Sequence, residues 1–63
     1  MPNENQGVII EFTTQGAYVR VSAFDPATLT EVTIVGAANA PRAHLETIVI
    51  RKLRQRIDRE RTK

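Results

Sequence analysis

The sequence predicts an α+β domain: a three-stranded antiparallel β-meander followed by one C-terminal amphipathic helix packed on the sheet (βββα). Three observations carry this. Two β-branched segments alternate around a glycine-containing turn, a third follows an Asp-Pro turn, and apolar residues then recur at helical spacing among charges.

The first strand is predicted over 8–13 (Val-Ile-Ile-Glu-Phe-Thr) and the second over 17–23 (Ala-Tyr-Val-Arg-Val-Ser-Ala). With Gln15-Gly16 as a two-residue turn, Phe12 pairs with Val19, Ile10 with Val21 and Val8 with Ala23, all on one face. The same register sets Glu11 against Arg20 on the other face, so apolar and charged patterns agree. The third strand, 31–35 (Glu-Val-Thr-Ile-Val), follows Asp25-Pro26, residues that suit the start of a type I turn because Asp bonds the backbone ahead and Pro presets φ. Keeping Val32 and Ile34 on the core face requires an even loop, either Asp25–Thr28 or Pro26–Leu29. After the break at 36–40, Pro41 marks a helix start with Asn39 or Ala40 as N-cap. Leu45, Ile48, Val49, Leu53 and Ile57 then make the apolar stripe of a helix over 41–59. The organisation is a flexible N-terminus at 1–7, a single domain at 8–59 and a frayed basic tail at 60–63.

Sixty-three residues with no cysteine have neither a disulfide nor a thiolate-bound metal to supplement a small core, which leaves association as the commonest remaining source of buried area. The longest apolar runs, Val8-Ile9-Ile10 and Ile48-Val49-Ile50, fall far short of the ~20 residues of a membrane span, so no membrane role is expected. The polar, acidic first residues lack the basic and apolar regions of a signal peptide and predict a cytoplasmic protein. The net charge of +2 hides an asymmetry: residues 1–50 carry two cations against five carboxylates, net −3, whereas residues 51–63 carry seven against two, net +5. Any electrostatic partner therefore belongs to the helix end.

Catalysis finds few candidates here. His44 is the lone imidazole, with no second ligand at metal-binding spacing, and reads as an exposed helix residue. Glu11 and Glu31, with Arg20 between them, read as a charge ladder on the outer sheet face. No catalytic residue, cofactor or metal is assigned, and the chain reads as a non-enzymatic interaction protein. A helix of about 18 residues, roughly 27 Å, outruns six-residue strands of roughly 20 Å, so Ile57 overhangs the sheet and Ile50 lies off the main stripe. Ile50, Leu53 and Ile57, with Ile9, Tyr18 and Val35 on the outer sheet face, are the candidates for self-association as a homodimer. The Gly- and Pro-containing segment 36–41 is a hinge that permits exchange of the helix or a strand between subunits. Arg54, Arg56, Arg59 and Arg61 are the candidates for contact with an anion. They define the competing class, a nucleic-acid-binding module that contacts phosphates through the helix, although i,i+4 pairing with Asp58 and Glu60 accounts for them as a solvated helix end.

Glu11-Phe12, Gly16, Tyr18-Val19-Arg20-Val21-Ser22-Ala23, Asp25-Pro26, Thr28, Glu31-Val32 and Ile34-Val35-Gly36, followed by the basic helix, resemble a family of short uncharacterised alphaproteobacterial proteins. The resemblance implies a bacterial domain of unknown function and no activity. Leu29 stands where the pattern leads to Gly, and Ala37 where it leads to Pro. A Leu at a position suited to positive φ implies a strained loop.

Overall fold

A computed structural model describes residues 7–61. Residues 1–6 and 62–63, on which much of the expected flexible N-terminus and basic tail falls, lie outside the described residues. The elements are β1 (Ile9–Gln15), β2 (Tyr18–Asp25), β3 (Thr30–Ala37) and α1 (Arg42–Arg61), with the strands antiparallel in the order β1-β2-β3. The predicted βββα arrangement is therefore the fold, with longer strands and a helix reaching two residues past position 59.

The β1-β2 pairing corrects the predicted register. Phe12 faces Val21, Ile10 faces Ala23 and Gln15 faces Tyr18, a slide of two residues, and the turn is Gly16-Ala17. Gly16 has φ of 58°, which a primed hairpin turn requires at its first central position; a Gln15-Gly16 turn would force that strain on Gln15. Because the slide is even, every side chain keeps its face. The charge ladder, however, is lost: Glu11 lies opposite Ser22, Arg20 opposite Thr13 and Val35, and Glu31 opposite Phe24.

Of the two allowed loops the chain uses Pro26–Leu29, since Asp25 faces Thr30. Asp25 organises it as expected, Oδ1 accepting from the Ala27 N–H at 3.0 Å while Oδ2 lies 3.2 Å from Thr28 Oγ1. Leu29 closes the loop at φ of 58° with its side chain 77 % exposed. Thr30, which the sequence reading left outside the strand, is buried with its hydroxyl 2.9 Å from that of Thr28.

The helix lies over β2 and β3. Val19, Val21 and Ala23 of β2 meet Leu45, Val49, Ile50 and Leu53 of α1 to form the core. Gly36, across from Val19, makes the close approach possible: a Cβ there would stand 2.6 Å from Leu45 Cδ2. The helix begins at Arg42, one residue later than a cap at Ala40 gives and two later than one at Asn39, because the Pro41 carbonyl accepts the first helical bond, from Leu45 N–H at 3.2 Å. The connection is tied to the first hairpin by Ala38 N–H donating to the Ala17 carbonyl at 2.8 Å.

Candidate functional site: the two flanks of the helix

With Gly36 beneath Leu45 and a groove bringing residues 31–33 beside 52–59, the helix runs antiparallel to β3. Its axial row, Leu45, Val49, Leu53 and Ile57, repeats every four residues and faces the sheet. Each flank then follows from helical spacing. Lys52, Arg56 and Arg59, at i, i+4 and i+7, share one flank; Ile50 and Arg54 lie roughly 160° round from Lys52 and Arg56 respectively, toward β1.

The β3 flank holds a groove of about 300 Å³, lined by Glu31, Val32 and Thr33 of β3, of which Val32 faces the helix side, and by Lys52, Gln55, Arg56 and Arg59 of α1. Its walls carry three cations against one carboxylate. This groove gathers two of the four predicted anion-contact residues, Arg56 and Arg59, and adds Lys52, which the sequence reading passed over. Helical spacing groups Lys52 with Arg56 and Arg59, but it equally groups Arg54 with Arg61, so the sequence alone did not mark this face out. Arg54 and Arg61 stand elsewhere. Arg61 lies 3.7 Å from Asp58, both exposed, and Arg54 and Arg59 have side-chain interactions of their own.

The β1 flank is apolar at the sheet and, among the described residues, carries cations only on the helix, Arg42 and, by helical spacing, Arg54. Val8, Ile10 and Phe12 face the helix side and are half-buried, as Val32 and Ile34 of β3 are, while α1 is centred over β2 and β3. The Arg42 guanidinium lies 4.0 Å from the Phe12 ring centroid, a cation-π contact at the upper end of this strip. Among the predicted self-association residues, Ile50 and Leu53 are taken up by the chain's own core, at 9 % and 2 % exposure. The wide apolar sector that set Ile50 apart serves to reach toward β1. Ile57 is half-buried against the core and shares a cavity with Thr28, Thr30, Glu60 and Arg61, so it covers the β2-β3 loop end and does not overhang. Strands of seven to eight residues, roughly 24–27 Å, narrow the length gap to a helix that is itself 20 residues, roughly 30 Å.

Ile9, Tyr18 and Val35 are exposed on the outer face, as expected, but they do not form one patch. Ile9 pairs with Phe24 at one end, Tyr18 lies opposite Ala37 at the other with Val35 beside Arg20, and the polar row Glu11, Ser22 and Thr33 separates them. The Ser22 and Thr33 hydroxyls hydrogen-bond across that row at 3.1 Å. His44 is exposed in the first helical turn, and among the described residues no three of His, Cys, Asp and Glu come together. Among the same residues no helix is long and apolar enough to cross a membrane.

Fold and surfaces define a small βββα domain in which, among the described residues, neither sheet edge has a further strand; apolar side chains line the β1 edge and a cluster of cations the β3 edge. Residues 5–60 match the model of a family described as a domain of unknown function (DUF6898), and the chain belongs to that family. Comparison with curated proteins and with solved structures gave no match.

Proposed function

We propose that the protein is a small non-enzymatic interaction module working as a homodimer, in which β1 pairs antiparallel with β1 of a second copy. One observation carries the reading: the helix lies over β2 and β3, so Ile10 and Phe12 of the edge strand β1, and Val8 just before it, are only partly buried. Pairing two β1 edges would join these strips beneath two helices and bury them together. The β3 edge is a poorer site for self-pairing, because Lys52, Arg56 and Arg59 cluster in one groove along it and two copies would bring those clusters together. Support for a non-catalytic role is compositional, with one imidazole and no thiol. Its proposed origin is bacterial, on the resemblance to short alphaproteobacterial proteins.

The test uses main-chain alternation. In a two-residue hairpin the flanking pair, Gln15 and Tyr18, is hydrogen-bonded, so in β1 the groups of Ile10, Phe12 and Thr14 point to the open edge. Thr14→Pro removes an edge N–H without removing a bond to β2. Sedimentation equilibrium is expected to give twice 7.1 kDa for the wild type and 7.1 kDa for the variant. A wild-type monomer would sink the proposal; a dimer that survives Thr14→Pro would point to exchange of the helix across the 36–41 hinge. The nucleic-acid reading is weakened by the division of the arginines between two flanks, which breaks up a continuous phosphate-tracking strip.

A further inference from the structure

We infer that the groove between β3 and α1 is a docking site for an extended acidic peptide segment, which adds to the sheet as a fourth strand beside β3. β3 has no strand neighbour on its outer side among the described residues. Continuing the alternation across β2, the main chains of Thr30, Val32, Ile34 and Gly36 bond to β2, while those of Glu31, Thr33 and Val35 face the open edge. A strand laid there would satisfy these donors and acceptors, as in peptide recognition by strand addition.

The helix supplies the chemistry that selects the segment. A strand added to β3 turns alternate side chains toward the helix layer, about 6.8 Å apart, and Lys52 and Arg56 succeed one another at about 6 Å along α1. Carboxylates at alternate peptide positions therefore meet Lys52 and Arg56 in succession, with Arg59 forming the rest of that wall. Glu31 borders the groove with its side chain on the outer sheet face, where it favours a neutral or basic residue at the facing peptide position. A nucleic-acid strand would meet the same cations but carries no series of amide N–H and C=O groups to pair with the β3 edge. Because this site lies on the strand edge opposite β1, it stands independently of the proposed dimer.

The experiment titrates the full chain, isotopically labelled for amide NMR, with an octapeptide that alternates Glu and Val. Three further probes are its Lys-Val counterpart, a copy N-methylated on the amides of one edge, and a mixed-sequence single-stranded DNA of similar length. The expected result is binding of the Glu-Val peptide with slowed hydrogen exchange at the amides of Glu31, Thr33 and Val35. Binding is expected to be lost with the Lys-Val peptide and the N-methylated peptide, and weakened at least about tenfold by Lys52→Glu with Arg56→Glu. Both substitutions fall at exposed positions, so the fold persists. No binding, undiminished binding of the N-methylated copy, unchanged β3 exchange, or tighter binding of DNA at the same residues would each overturn the assignment.

Discussion

Leu29 holds a backbone conformation that costs an L-residue about 1 kcal/mol or more, and its side chain recovers little of this, being largely exposed. The loop length explains why it is tolerated: four residues between Asp25 and Thr30 need a left-handed residue to close, and Leu29 is the residue in that place. Leu29→Gly is expected to raise the unfolding free energy by roughly 0.5–1 kcal/mol, read as a higher urea midpoint at unchanged slope. A lower midpoint would show that the leucine side chain contributes more than the strain costs. At this scale the sequence was informative wherever a residue type has few conformational uses. Asp25 and Pro26 announced their turn, and the family resemblance, whose pattern leads to Gly where Leu29 stands, implied the strain there. The placement of Gly16 within its turn was misjudged by one position, because a two-residue hairpin reads the same from either neighbour until the sign of φ at its first residue is considered.

Gly36 shows how elements are matched to one another. Its missing Cβ is the space that Leu45 fills, so the distance between helix and sheet is set at one position of β3. Gly36→Val is expected to destabilise the domain by roughly 1–3 kcal/mol through overpacking, measurable by thermal or urea unfolding. Pairing it with Leu45→Ala should recover part of the loss, since the second change vacates the contested volume; a strictly additive double mutant would show that the clash lies elsewhere. The pattern of apolar residues identified every element and the inward face of each, because periods of 2 and 3.6 are written directly in the chain. It did not reveal which strands the helix covers. That outcome depends on the short connection from Ala37 to Arg42 and on the room above Gly36, and it converts Ile50 from a surface candidate into core while leaving Val8, Ile10 and Phe12 half-exposed.

For the whole molecule, the two sheet edges have opposite character, and this gives the proposed module its division of labour: an apolar edge toward a second copy and a cationic edge toward an acidic strand. If folding and dimerisation are coupled, stability must depend on protein concentration. Tenfold dilution is expected to lower the melting temperature of the wild type by roughly 5 °C and to leave that of Thr14→Pro unchanged. A wild-type midpoint independent of concentration would separate folding from association.

By itself the chain determined the fold class, the strand and helix faces, and the segregation of charge into an acidic body and a basic helix end. These are local properties of periodicity, turn chemistry and composition. Only the tertiary structure decided that Lys52, Arg56 and Arg59 share a groove with β3 while Arg54 turns away. It likewise decided that the outer-face apolar residues are split by a polar row. Both depend on register and on the placement of the helix across the sheet, where small steric terms at Gly16 and Gly36 choose among arrangements that the hydrophobic pattern alone leaves equivalent.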